Sequence, residues 1–286
     1  MPSTSFEFKL KDDFNQVYYL PDPRPYYAGL KPSDYRMPGL IAKAIAALSV
    51  RRHPGRTLKV LDFACGFGAI GACLRRGLRM RELYDYYGAV EWSHTEPTRL
   101  HRQDADWYAH RDHQSANVEL IGVDVAPHAV AYAEAMGLVD QGPVLDLTSG
   151  DSAVDHADLL AGVDLVAESG GVGRIQHLAF GALLASGARL WFLMSPRPDV
   201  DWTALNKVWD TFGYHAEVIA QTRYRRTLGV DETQDVSRRA AALGLSEAQT
   251  FREGYIAVPL TLVRPSTAEP DRVLRDWFDA DELDRD

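Results

Sequence analysis

Apolar runs of five to eight residues recur along this chain, most of them followed by a stretch in which apolar positions return every third or fourth residue. "LKVLDFA" (58–64) leads through a glycine-rich loop into "AIGACLRRGL", and "VELIGVD" (118–124) leads into "APHAVAYAEAMGL". The first member of each pair has the length and composition of a buried strand, the second the period of a helix. "PVLDL" (143–147), "VDLVAES" (163–169) and "ARLWFLMS" (188–195) read as three more buried strands. "HAEVIAQTRYR" (215–225) and "YIAVPLTLV" (255–263) complete the series with stricter alternation. Strand–helix alternation of this kind predicts an α/β architecture, an open and mostly parallel sheet with helices on both faces. Ligands of such sheets bind beyond the carboxyl ends of the strands.

Three segments depart from the alternation. Residues 1–50 are rich in tyrosine and proline and end in "GLIAKAIAAL", which reads as an amphipathic helix. Residues 79–117 separate the first helix from the second strand and are polar, with a helical pattern. Residues 227–251 lie between the last two strands. The expected organisation is therefore an N-terminal lid and helix (1–50), a ligand-binding domain (51–266) carrying the insertions 79–117 and 227–251, and an acidic tail (267–286). Insertions at strand ends are where specificity elements usually sit.

Composition narrows the function classes. With 46% hydrophobic and 25% charged residues, a 286-residue chain can bury one large core. Forty acidic against 31 basic residues give a net charge of −9, which repels phosphate backbones, so nucleic acid is not expected as a partner. No apolar run approaches the ~20 residues of a membrane span, so no membrane association is expected. "MPSTSFEFKLKDDF" has no apolar signal core, and a cytoplasmic location is expected. Cys65 and Cys73 match neither a disulfide framework nor a zinc ligand set. "HRQDADWYAHRDHQ" (101–114) gathers histidines and aspartates, including His110 and His113, yet reads as a charged, exposed helix, and no metal is expected. "RYRRT" (223–227) is too short a basic run to make a nucleic-acid groove.

Candidate chemistry centres on Gly66-x-Gly68-x-x-Gly71, the spacing of a dinucleotide turn. A pyrophosphate at that turn would be repelled by a carboxylate, and Asp62 stands where the strand should end. An aspartate there suits a cation, such as an ammonium or a sulfonium. The run Asp62-Phe63-Ala64-Cys65-Gly66-Phe67-Gly68 resembles the first motif of the class I S-adenosylmethionine (SAM) dependent methyltransferases, of small-molecule type with an insertion after that motif. The likeness spans about 58–263. It implies a Rossmann-like, doubly wound sheet of seven strands with the last one antiparallel, and SAM as cofactor. It also implies site roles. Asp62 would lie near the cofactor's amino group, with Ala64, Gly66 and Gly68 along its methionine end. Asp124 would accept the ribose hydroxyls with Val125 beside it, although Asp124 also fits as the N-cap of the following helix. Asp151 and Ser152 of "TSGDSA" would stand near the adenine. Glu168, Ser169, Gly170 and Gly171 would border the sulfonium and the acceptor.

For catalysis the candidates are Glu168, His177 and Tyr27. Glu168 reads also as a loop brace and His177 as a packed helix residue. Tyr18, Tyr19, Tyr26, Tyr27 and Tyr35 crowd into eighteen positions with four prolines, which suggests a lid that contacts substrate. Tyrosine faces near a sulfonium would add cation–π attraction. Arg174 is a candidate for a substrate carboxylate. Cys65 reads as a small buried thiol. Three functions fit. The first is a SAM-dependent methyltransferase for a small molecule in specialised metabolism, as monomer or homodimer. The second is an enzyme that consumes SAM by intramolecular attack, cyclising its aminobutyryl arm and releasing methylthioadenosine. The third is a protein that binds NAD, or binds SAM without catalysis.

Overall fold

β1 (Leu58–Phe63) is buried along almost its whole length, so it needs a strand at each edge and a helical layer over each face. The computed structural model describes residues 14–52, 55–89, 95–111, 117–148, 157–170 and 176–268, and it supplies both. β2 (Val118–Val123) and β3 (Leu165–Ala167) flank β1 in parallel, and β4 (Trp191–Met194) pairs with β3 in parallel. Beyond them lie β5 (Tyr214–Arg226), the two-residue β6 (Phe251–Arg252) and β7 (Tyr255–Pro265). β7 runs antiparallel between β4 and β5, and β6 pairs with it. The sheet order is β2-β1-β3-β4-β7-β5, the doubly wound, Rossmann-like arrangement with its last strand reversed.

One strand of the expected seven is replaced by another. The run 143–147 makes only the single bridge Asp124↔Val144 beside Ile121↔Gln141. Pro143 has no N–H to give to a ladder, which stops the pairing there. β6 fills the count instead.

The helices in chain order are α1 (Arg24–Leu30), α2 (Met37–Arg52), α3 (Ala69–Arg76), α4 (Met80–Tyr87), α5 (Pro97–Ala109), α6 (Pro127–Ala135), α7 (Ala157–Leu160), α8 (Gln176–Ala185), α9 (Thr203–Phe212), α10 (Val230–Ala242) and α11 (Glu247–Thr250). One sheet face packs Leu58, Val60 and Leu193 against α2, α3 and α6. The other packs Leu61, Phe63 and Phe192 against Phe180 and Leu183 of α8 and Trp209 of α9. No helix among the described residues is long and apolar enough to cross a membrane.

Two expectations change. α2 is not amphipathic: Ile41, Ala44, Ile45 and Ala47 are buried on different sides of it, leaving Lys43 and Val50 exposed. The insertion 79–117 is not a polar appendage. α4 and α5 put Met80, Leu83, Tyr84, Tyr87 and Tyr108 into the main core, and Leu100 and the acidic Asp104 are buried as well. Polar letters hid this because tyrosine buries its ring while bonding its hydroxyl.

Candidate active site

Three acidic side chains converge at the carboxyl ends of β1, β2 and β3. Asp62, the fifth residue of β1, is 1% exposed, and its Oδ2 has no hydrogen-bond partner. Asp124 follows β2 and holds the glycine turn: its Oδ2 accepts the Gly66 N–H at 2.9 Å and its Oδ1 the Ala126 N–H at 2.9 Å. Asp124 thus braces the approach to α6 from two residues before the N-cap, which is Ala126 itself. Glu168 follows β3, is 1% exposed, and accepts the Gly170 N–H on Oε1 at 2.7 Å.

The turn itself is built by backbone that side chains resist. Gly66 and Gly68 have φ of +51° and +75°, and Ala64 adopts φ +58° without being a glycine. Such a residue costs on the order of 1 kcal/mol or more, a strain that sites retain. Gly71, one turn into α3, answers to packing: a Cβ there would stand 2.0 Å from the Leu138 carbonyl oxygen. Cys65 is buried beside Gly122, and burial pushes its thiol well above the usual range.

Charge makes the basin selective. Burial, then the nearby Asp124 and Glu168, push the Asp62 carboxyl well above the ordinary carboxylate range. Burial also raises Asp124, against the pull of the Ala126, Gly66 and Val125 N–H groups. Among the described residues, no basic side chain offsets the charge of either acid. A cation entering the basin would relieve this repulsion, whereas an anion would add to it.

Tyrosines cover the basin. The Tyr18 ring lies on the turn, so close that a Cβ on Gly66 would sit 2.6 Å from its Cε1. Phe67 stands between the glycines within an aromatic shell of Tyr18 (6.2 Å between ring centroids), Tyr26 (5.9 Å) and Tyr132 (5.7 Å). Over the β3 loop, the Tyr35 hydroxyl donates to the Ser169 carbonyl and the Tyr224 hydroxyl to the Gly170 carbonyl at 3.2 Å. The two rings meet edge to face at 5.2 Å, and Tyr84 donates to the Tyr35 carbonyl at 2.6 Å. Burial raises the hydroxyls of Tyr26, Tyr27, Tyr35 and Tyr224, which keeps them protonated at neutral pH.

The residues expected from the sequence thus divide. Asp62, Ala64, Gly66, Gly68, Asp124, Glu168, Ser169, Tyr18 and Tyr35 gather at the strand ends, and Tyr26 packs on Phe67. Val125 is exposed beside Asp124. Tyr19, 48% exposed, shows much of its surface to solvent. Tyr27 is buried face to face on Tyr87, with ring centroids 4.6 Å apart, and its hydroxyl has no hydrogen-bond partner. His177 is the second residue of α8 and is half-buried. Asp151, Ser152, Gly171, Arg174 and His113 lie outside the described residues. Residues not anticipated are Phe67, Tyr84, Tyr132 and Tyr224. The inward alternation of Ala220, Thr222 and Tyr224 along β5 was a signal for the last of these.

No family model matches the chain, and no curated protein matches it. Among solved structures it is similar to a TehB-like SAM-dependent methyltransferase from Corynebacterium glutamicum, at 15% identity over 79% of this chain and 87% of that one, with a TM-score of 0.38. The magnesium protoporphyrin IX methyltransferase of Synechocystis, solved with bound SAM, aligns at 13% identity over 79% of each chain (TM-score 0.38). The plantazolicin methyltransferase BpumL, in complex with SAH, aligns at 10% identity over 87% and 93% (TM-score 0.41). At these scores the likenesses carry no weight of their own, and the architecture stands on its strand order.

Proposed function

We propose that the protein is a SAM-dependent transferase that methylates a small-molecule acceptor. The observation that carries this reading is the basin of Asp62, Asp124 and Glu168 around a turn with two left-handed glycines: it suits a ligand with both a cationic centre and a need for close backbone approach. The unpartnered Asp62 Oδ2 fits an ammonium group. Both Asp124 oxygens already accept one N–H, and each keeps a lone pair for a vicinal diol. When bound, SAM supplies a methyl group activated by its sulfonium. This chain's residues then orient and shield: Gly66 and Gly68 admit the backbone, Tyr18 covers the turn, and Tyr35 with Tyr224 fixes the loop that presents Glu168. A proton lost by an acceptor would be taken at the Glu168 carboxylate, with His177 the alternative base. Specialised metabolism is the setting such a covered, elaborated site suits.

The tyrosines over the basin also favour a second reading, in which SAM's own aminobutyryl arm is the nucleophile and no acceptor is needed. Calorimetry against SAM and NAD, with mass spectrometry of a SAM incubation, tests both. SAM binding without turnover supports methyl transfer. Methylthioadenosine above the no-enzyme control supports the second reading. Absence of SAM binding overturns both.

A further inference from the structure

The insertion between α3 and β2 buries a carboxylate that the site does not use. Asp104 of α5 is 0% exposed. Its Oδ2 accepts the Tyr132 hydroxyl at 2.7 Å and its Oδ1 the Tyr86 hydroxyl at 2.9 Å. The Tyr87 hydroxyl bonds to those of Tyr132 (2.7 Å) and Tyr108 (3.1 Å). Burial, partly offset by Tyr132, Tyr86, His101 and Tyr87, lifts the Asp104 pKa to about 6. An ionised acid so placed costs the fold stability at neutral pH, so packing alone does not account for it.

The bonds from Asp104 lead to the glycine turn. Tyr132 on α6 meets Phe67 edge-on at 5.7 Å, and Phe67 is the residue between Gly66 and Gly68. On its other sides Phe67 touches Tyr18 and Tyr26 of the tyrosine segment. One turn before Asp104, the His101 ring lies 5.1 Å from Tyr132, and its Nε2 is 2.9 Å from the Pro21 carbonyl oxygen. We infer that Asp104 is a positioning residue for the glycine turn: it holds Tyr132 against Phe67, and so sets how Gly66, Gly68 and Tyr18 meet a bound ligand. The ionised carboxylate accepts two hydroxyl bonds with charge assistance, whereas the neutral acid must spend one oxygen as a donor. The hold therefore slackens as Asp104 takes up a proton. Among the described residues, the other titratable groups around it are His101 and Asp106 on α5, Tyr86 and Tyr87 on α4, Tyr27 on α1, Tyr108, Tyr132 and the Asp22–Arg24 pair.

The affinity test rests on the SAM reading, and a ligand-free test does not. Asp104→Asn and Tyr132→Phe are titrated with S-adenosylhomocysteine at about pH 8 and about pH 5, and each is compared with wild type, because Asp62 and Asp124 titrate in all three proteins. At about pH 8 the Asp104→Asn affinity should be about tenfold weaker than wild type, with the two converging within about twofold at pH 5. Tyr132→Phe, which loses one hydroxyl, should show a deficit of about threefold. Equal affinities at pH 8, or a deficit that does not change with pH, would overturn the inference. If wild type does not bind the probe, the SAM reading fails, and amide exchange of ligand-free protein decides instead. Exchange at 66–68 should quicken in Asp104→Asn without a fall in melting temperature. Unchanged exchange would overturn the inference, and Tyr132→Phe decides should Asp104→Asn not fold.

Discussion

On the proposed reading, Asp62 would act in opposite ways on the ligand-free fold and on SAM binding. In the ligand-free fold its ionised form is disfavoured, first by burial and then by Asp124 and Glu168. Replacing it by Asn removes that charge while keeping its shape. The ligand-free Asp62→Asn protein should melt at or above the wild-type temperature near neutral pH. The same variant should bind SAM about 30-fold more weakly, since a charge-assisted bond to an ammonium is lost. Thermal melts and calorimetry give the two readings, and a variant that binds SAM normally would remove Asp62 from the site. A second consequence concerns protons. Cation binding lowers a carboxyl pKa, so SAM uptake should release up to about one proton. Calorimetry in buffers of differing ionisation enthalpy detects it as a buffer-dependent heat. Heats that are the same in every buffer would mean that the acid was already ionised.

At the scale of elements, close approach and tethering decide what the loops can do. Gly71→Ala puts a Cβ against the Leu138 carbonyl, a backbone atom that cannot swing aside. The variant should lose about 2–3 kcal/mol of stability, a clear fall in melting temperature. A melt within a degree or so of wild type would show that the loop after α6 yields. Tyr35→Phe removes only the hydroxyl that holds the Ser169 carbonyl. Turnover should fall about fivefold while SAM affinity stays put, about 1 kcal/mol for a lost neutral hydrogen bond. A weaker SAM affinity with unchanged turnover would place Tyr35 on the cofactor instead of the loop. These elements also show where the sequence was readable. The runs at 58–64, 118–124 and 188–195 are mostly apolar, and each contains a buried strand, the first two with bounds within a residue and the third shortened to Trp191–Met194. Asp62 and the glycines were legible because their spacing along one strand end fixes their neighbourhood. The run 143–147 misled because one proline outweighed its apolar letters. Asp104 and Tyr132 stayed hidden because they meet through the packing of α4, α5 and α6, and a 28-residue separation leaves no periodic trace.

Taken whole, the molecule stores its acidic strain in one pH window. Burial is the first cause that raises Asp62, Asp104 and Asp124, to about 6 for Asp104. An acid whose folded pKa lies above its unfolded value contributes stability fully present below about pH 4 and lost as pH climbs through the folded value. Asp199 and Glu232 behave oppositely. Burial would raise them, but the Arg197 and Arg239 guanidiniums hold Asp199 low, and Arg225 with the Leu228 N–H holds Glu232 low. Their contribution is intact above about pH 4 and is lost only in stronger acid. Between about pH 5 and pH 8, therefore, the raised set acts and the lowered set does not, and the net charge of −9 adds self-repulsion of the same sign. The ligand-free protein should lose several degrees of melting temperature across that interval, about 1.5 kcal/mol of it coming from Asp104. Saturation with SAM should flatten the slope, because its ammonium reverses the contribution of Asp62 and, through the coupling inferred above, also lowers that of Asp104. Melts at half-unit steps of pH, with and without SAM, measure both slopes. A melting temperature that rises from pH 5 to pH 8 without ligand would contradict the buried acids, and parallel slopes would separate the SAM ammonium from Asp62.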